Sequence, residues 1–112
     1  AREMGNSEAE AKALGGIGVV RFRLGDLPAA REFLLAALAV HRATGFKNRE
    51  GRALRRLAEL ERAAGDRAAA LAYARQAVAA IRQTEYVRYL PKAEALLTEL
   101  EAEAAGDRSP NG

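Results

Sequence analysis

The sequence contains no cysteine and no tryptophan, and it has little proline, valine or isoleucine. Without cysteine, disulfides and thiolate metal sites are excluded, and a cysteine-free chain favours a reducing compartment, so we expect the cytoplasm. No apolar run approaches the roughly 20 residues that a membrane-spanning helix needs, and nothing near the start resembles a signal peptide. We therefore expect no membrane association.

The groups that usually perform catalysis are also scarce. His41 is the only histidine, and the serines and threonines have no general base beside them in the sequence. A metal site would have to rely on carboxylates, since neither cysteine nor a second histidine is present. We predict no enzyme activity, no cofactor and no metal, and we expect His41 to lie packed on the core side of its helix.

Alanine and arginine are the commonest residues of this 112-residue chain. The alanine content favours helix over strand, and a chain of this length forms one domain with a modest core. The formal net charge is +3, and fifteen arginines accompany only three lysines. Guanidinium groups bind both carboxylates and phosphates, but a charge of +3 by itself is weak support for nucleic-acid binding.

The chain repeats itself with a period of 40 residues. Shifting residues 5–44 onto residues 45–84 aligns twelve identical positions without a gap, and the pair "GD" recurs at Gly25, Gly65 and Gly106. The final helix should cover residues 87–105, and residues 107–112 should form a flexible tail. Because "AREMGN" aligns with "HRATGF", we expect the first residues to end a preceding helix of a longer array.

The repeat settles how the glycine-rich stretch "ALGGIGVVRFRLGD" folds. Its second copy, "ALRRLAELERAAGD", has helical spacing of apolar residues, so residues 13–24 should be a helix rather than a strand or a phosphate-binding loop. Gly18 aligns with Ala58, and a small residue there should permit close helix contact. The core stripe of this first helix is predicted to consist of Ala13, Leu14, Ile17, Val20 and Leu24.

The second half of each unit is also predicted to be helical. Pro28 suits a first helical turn, and Asp26 before it is a suitable N-cap. Such a helix pair, with "LG" or "LA" in the first helix, "GD" at the turn and then alanine, an aromatic residue and "AL", resembles the tetratricopeptide repeat. The residues that carry the resemblance are Leu14, Ile17, Gly18, Gly25, Asp26, Ala30, Phe33, Ala37 and Leu38, and in the second copy Leu54, Leu57, Ala58, Gly65, Asp66, Ala70, Tyr73, Ala77 and Val78.

The resemblance implies an all-α superhelix of about five helices, in the variant with a 40-residue period found in bacterial multidomain regulators. It also implies a concave face, lined by the first helix of each unit, that binds a peptide or a partner helix. The chain lacks the asparagines that accompany lysines in chaperone-tail binders of the family, so chaperone binding is not predicted. The family's groove positions fall on Lys12, Gly15, Val19, Phe22, Arg23, Arg52, Arg55, Glu59, Arg62 and Ala63.

We therefore predict a protein-interaction scaffold, part of a larger bacterial regulatory or assembly protein, that binds an acidic or C-terminal segment. Two structural alternatives stay open. The arginines around Glu59 are an ordinary solvated face with an Arg55–Glu59 pair, or Val19 and Phe22 are buried against an upstream repeat or a second copy. Two functional alternatives remain as well: self-association through an uncovered solenoid end, and nucleic-acid binding through the arginine-rich faces.

Overall fold

The computed structural model describes residues 3–85 and 87–107, and this part of the chain contains helices and no strand. Five α-helices follow one another, with a short 3-10 helix, Val87–Tyr89, before the last. None of the described helices has the length and hydrophobicity needed to cross a membrane. The α-helices are α1 (Glu3–Arg23), α2 (Leu27–Thr44), α3 (Lys47–Ala64), α4 (Arg67–Arg82) and α5 (Leu90–Asp107).

The turns inside the two hairpins are built in the same way. Gly25 and Gly65 adopt positive φ angles of 84° and 88°, which only glycine reaches without strain. The aspartate that follows each glycine accepts a hydrogen bond from the amide three residues later, at 3.2 Å for Asp26 and 3.0 Å for Asp66. The predicted N-cap at Asp26 is therefore confirmed, and the 40-residue repeat of the sequence is a repeat of backbone conformation.

Close packing within each hairpin depends on one glycine. A Cβ atom on Gly18 would lie 2.8 Å from the Leu34 Cγ, and one on Gly51 would lie 2.3 Å from the Ile81 Cγ1. Both distances are far below van der Waals contact, so each glycine allows its helix to approach the partner helix. The predicted role of Gly18 in close helix contact is confirmed.

The hairpins stack side by side into an elongated slab of 57 × 32 × 18 Å, with α3 between α2 and α4. Leu54, Leu57 and Leu60 of α3 are fully buried between these two neighbours. The helical solenoid predicted from the sequence is confirmed, and α3 forms its centre.

The predicted core stripe of α1 is wrong. Ile17, Val20 and Leu24 are 41%, 52% and 70% exposed, Ala13 is exposed, and Leu14 is half-buried. The stripe lies on the face of α1 that points away from α2, because within the described residues α1 packs mainly on α2 and touches α3 only slightly. In α3 the equivalent face is covered by α2, and there Ala53, Leu54, Leu57 and Leu60 are buried, while Ala64 at the helix end is exposed.

Two predicted boundaries also change. Helix α1 begins at Glu3, so residues 3–6 form its first turns and do not end a separate preceding helix. The last helix runs over Leu90–Asp107, and residues 87–89 before it form the 3-10 turn. Asp107 is still helical, and the remaining residues of the predicted tail, 108–112, lie outside the described part of the chain.

Two ion pairs join the hairpins at opposite ends of the α2–α3 contact. Arg31 binds Glu61 through two hydrogen bonds, of 2.7 and 2.9 Å, and the Glu61 side chain is only 8% exposed. Near the other end, the Arg42 Nε donates to the buried Glu50 carboxylate at 3.2 Å. The two pairs fix the register of α2 on α3.

Replacing Arg31 with alanine is expected to lower the free energy of unfolding by about 2 kcal/mol, because it leaves the Glu61 carboxylate buried without its cation. Arg82→Ala is the matched control, since Arg82 pairs with Glu94 on the surface, where an ion pair is worth about 0.5 kcal/mol. Urea denaturation of both variants measures the difference. Equal losses would show that the Arg31–Glu61 pair does not join the hairpins.

Candidate functional site

A groove runs between α1 and α3, with α2 as its floor. It consists of two cavities, of about 630 and 310 Å³, that share Leu34 of α2 and Arg56 of α3. Ala37 and His41 continue the floor beneath the larger cavity, and Lys92 of α5 borders the smaller one. We call these two connected cavities the basic groove.

Positive charge is concentrated in this groove. Of the residues that the structure describes, seven lysine or arginine side chains and two carboxylates line it, which gives a formal charge of +5 in a chain whose total is +3. Both carboxylates are already paired, Glu8 with Arg49 and Glu59 with Arg55, each at 3.0 Å. Five bases line the groove without forming an ion pair to a described residue: Lys12, Arg23, Arg52, Arg56 and Lys92.

Arg56 lies at the junction of the two cavities. Its side chain is half-buried, and desolvation lowers its pKa, as do the positive charges of Arg52, Arg55 and Arg23; Glu59 acts in the opposite direction. Gly15 of α1 lies beside it, and a Cβ atom there would be in ordinary van der Waals contact with the Arg56 Nη1, at 3.9 Å. The groove thus holds a guanidinium that is partly removed from water and that its arginine neighbours destabilise. An anionic ligand would stabilise this guanidinium by placing an opposite charge beside it.

Arg52 is held in position by an aromatic ring. Its guanidinium carbon lies 4.6 Å from the centre of the Tyr89 ring, in the 3-10 turn before α5. A cation–π contact of this kind orients the side chain without neutralising its charge. Arg52 therefore lines the larger cavity as a fixed cation.

The smaller cavity has an apolar wall. Val19 and Phe22 of α1 and Leu34 of α2 line it, and Phe22 also packs against the main hydrophobic core. A ligand side chain entering here would meet apolar atoms next to Arg55 and Arg56.

A family model for the tetratricopeptide repeat matches residues 9–83, which is well over half of the chain. The chain belongs to the tetratricopeptide repeat family. No curated protein shows a significant match to it. Tetratricopeptide repeats generally mediate protein–protein interactions, and the family is typically a non-enzymatic scaffold. The part of the chain that the structure describes has no cluster of three or more histidine or acidic residues able to hold a metal ion.

Most of the positions predicted from the tetratricopeptide resemblance line the basic groove. Lys12, Gly15 and Arg52 border the larger cavity. Arg62 lies outside both cavities and pairs instead with Glu99, at 3.0 Å, and Glu103, at 3.6 Å. Arg62 thus links α3 to two carboxylates of α5. Five further predicted residues line the smaller cavity, namely Val19, Phe22, Arg23, Arg55 and Glu59.

The structure places the residues of the two structural alternatives as follows. Arg55 and Glu59 form the expected i,i+4 pair, but the Arg55 side chain is only 15% exposed, so this face is not fully solvated. Val19 and Phe22 line the groove, and the apolar residues on the uncovered side of α1 are those of the stripe around Val20.

Sequence reasoning missed Arg56 as a groove residue. The signal was present, because Arg56 lies one helical turn after Arg52 and aligns with Gly16, whose place in a helix had no explanation. Gly16 lines the larger cavity, and a Cβ atom on it would meet nothing within 4 Å. The missing side chains of Gly15 and Gly16 keep this part of the groove open.

His41 lines the floor of the larger cavity and is half-buried there. Burial lowers its pKa, and the charges of Arg49 and Arg52 lower it further, against smaller effects of Glu50 and Glu8. Lys12 lines the same cavity. The neutral form of His41 is therefore favoured, and its side chain lies on the groove floor, half-buried rather than packed in the core as predicted.

This pKa shift predicts a loss of stability in mild acid. Because the folded state holds the pKa of His41 below its unfolded value, the unfolded chain binds more protons as the pH falls through the ordinary histidine range. The free energy of unfolding should decrease from about pH 7.5 to about pH 5.5, and His41→Gln should remove this dependence. Denaturant titrations at four pH values measure it. An unchanged pH dependence in His41→Gln would contradict the assignment, since His41 is the only histidine.

Proposed function

We propose that this tetratricopeptide repeat domain binds an acidic segment of a partner protein in the basic groove. The observation that carries the proposal is the half-buried Arg56, which lacks an ion pair with any described residue and has three arginines near it. A structural charge of this kind is normally paired, because an unpaired buried charge destabilises the fold. A carboxylate of the partner would supply the missing charge and accept two parallel hydrogen bonds from the guanidinium.

The groove also favours one apolar side chain in the ligand. The wall formed by Val19, Phe22 and Leu34 lies beside Arg56, so a large apolar residue next to a carboxylate would fill the smaller cavity while the carboxylate pairs. The segment we propose is therefore acidic with one apolar anchor. A C-terminal carboxylate following an apolar residue meets the same requirement.

A nucleic acid suits the groove less well. Single-stranded nucleic acids bind through aromatic rings on which bases stack. Among the described residues that line the groove, Phe22 is the single phenylalanine, tyrosine or tryptophan, and the nearby Tyr89 ring is in contact with Arg52, so successive bases would find no row of rings. We propose protein binding, as a scaffold within a larger bacterial regulatory or assembly protein.

Selection from a random peptide library on the immobilised domain tests the proposal. Peptides with two or more carboxylates and one large apolar residue should be enriched on the natural chain and on the control Arg75→Glu, whose side chain is exposed on α4. They should not be enriched on Arg52→Glu, which reverses one charge of the groove. Enrichment of neutral or basic peptides, or equal enrichment on Arg52→Glu, would contradict it.

A further inference from the structure

A second surface of the domain lies on the other side of α1. Ile17, Val20 and Leu24 are among the few large apolar side chains that are exposed in the described part of the chain, and they follow one another at helical spacing with Ala13. We call these four residues the outer stripe. They point away from both α2 and the basic groove.

The repeat indicates that the outer stripe is a surface on which another helix can pack. Three of its equivalents forty residues later, Ala53, Leu57 and Leu60, are 6%, 0% and 0% exposed, and the fourth, Ala64 at the end of α3, is exposed. They belong to the core cluster that includes Leu34 and Leu38 of α2. In α3 this stripe therefore receives an antiparallel helix, and α1 carries the same pattern without one among the described residues.

The charges beside the stripe specify the helix that would fit. On α3, Glu61 and Glu50 pair with Arg31 and Arg42, which are eleven residues apart on α2. On α1 the equivalent positions hold Arg21 and Glu10. An antiparallel helix on α1 would thus need an acidic residue opposite Arg21 and, eleven residues further along, a basic residue opposite Glu10.

One segment of the sequence meets this requirement, and it is α1 itself. Among all the acidic residues of the chain, only Glu10 is followed eleven positions later by a lysine or arginine, namely Arg21. Both side chains are exposed, and neither forms an ion pair with another described residue. Placed where α2 lies on α3, a second α1 would form two identical pairs between Glu10 of one copy and Arg21 of the other.

We propose that two copies of this chain associate antiparallel through the outer stripe of α1. The contact is isologous, so the two ion pairs are related by a twofold axis that lies level with Gly15 and Gly16. In this register Ala13, Ile17 and Val20 pack against the same residues of the other copy, and Leu24 lies opposite Ser7. Because α1 turns a different face to the basic groove, the dimer leaves both grooves open. The proposal does not rest on what the groove binds.

Charge reversal at the two positions gives a sharp test by sedimentation equilibrium. The natural chain should show a concentration-dependent dimer. Glu10→Arg and Arg21→Glu should each lower the association constant about tenfold, because each replaces two attractive contacts with two repulsive ones. An equimolar mixture of the two variants should recover the natural value as a heterodimer, since both ion pairs are restored in it.

Matched controls distinguish an effect at the α1 interface from an effect of the net charge of the chain. Glu32→Arg on α2 and Arg75→Glu on α4 make the same charge changes at exposed positions away from α1 and should leave the dimer unchanged. Val20→Glu, in the middle of the outer stripe, should yield monomers with the natural helix content by circular dichroism. A chain that stays monomeric up to millimolar concentration, a dimer unaffected by Val20→Glu, or a mixture that fails to recover would overturn the proposal; the first result would leave the stripe to a different polypeptide.

Discussion

Replacing Gly51 with alanine is expected to lower the free energy of unfolding by about 2 kcal/mol, although alanine is the better helix former. The added Cβ would lie 2.3 Å from the Ile81 Cγ1 and 3.2 Å from the Ala77 carbonyl oxygen. Ile81 is 1% exposed, so its side chain has no solvent-filled space to move into. Helices α3 and α4 would have to separate, and α3 is the central helix of the slab.

Gly16→Ala is the matched control. It is also a helical glycine, but a Cβ there meets nothing within 4 Å, so this variant should gain the helix-propensity difference of about 0.5–1 kcal/mol. Ile81→Ala combined with Gly51→Ala should cost less than the sum of the single changes, because the space freed by one accommodates the other. Thermal and urea denaturation measure all four. A stabilising Gly51→Ala would show that α3 and α4 are further apart than described.

The two hairpins distribute side-chain volume differently at equivalent positions. Where the first hairpin has Gly18 with Leu34, the second has Ala58 with Ala74, all of them buried. At the other end the second hairpin has Gly51 with Ile81. Each contact pairs a small residue with a partner whose size fits beside it. The effect of a substitution on stability therefore depends on the partner side chain, and the residue at the same position of the other repeat does not predict it.

Arg56→Met is expected to lower the affinity for an acidic peptide about ten- to a hundredfold while leaving the fold at least as stable. The affinity falls because a charge-assisted hydrogen bond to a carboxylate is lost, which is worth about 1.5–3 kcal/mol. The free energy of unfolding should rise by up to about 1 kcal/mol, because a half-buried cation with arginine neighbours is replaced by an apolar side chain of similar length.

A substitution that lowers peptide affinity but raises the free energy of unfolding shows that the arginine serves binding rather than the stability of the fold. Arg75→Met on the exposed surface of α4 is the control and should change neither quantity appreciably. Fluorescence anisotropy with a labelled peptide from the library selection, together with urea denaturation, measures both. If Arg56→Met destabilises the chain, the guanidinium is part of the fold and the groove is not built around it.

Much of the fold follows from the sequence because local signals agree with the repeat. Gly25 and Gly65 with their following aspartates fix the two hairpin turns, and one 40-residue shift aligns both. This reasoning fails to predict which face of α1 is buried. Its stripe of Ile17, Val20 and Leu24 copies the pattern of α3, but burial depends on having a second neighbouring helix, which the pattern alone does not supply.

The groove is predictable in outline and not in detail. Helical spacing places Lys12 and Arg52 on one side, and both line the larger cavity. Arg62 fits the same spacing, yet it is drawn to Glu99 and Glu103 of α5, a contact between segments that no local pattern reveals. The place of Arg56 in the groove depends on how α3 packs near α1, where Gly16 leaves open space, and no local pattern encodes that packing.

The most direct test of the basic groove is chemical-shift mapping on the ¹⁵N-labelled chain with an acetylated peptide of four aspartates followed by two leucines. We predict salt-sensitive, saturable shifts of backbone amides concentrated on the groove-lining residues Lys12, Gly15, Gly16, Arg52 and Arg56. Shifts spread over the outer surface of α2 and α4, or no shifts at millimolar peptide, would contradict the assignment of this groove as the binding surface.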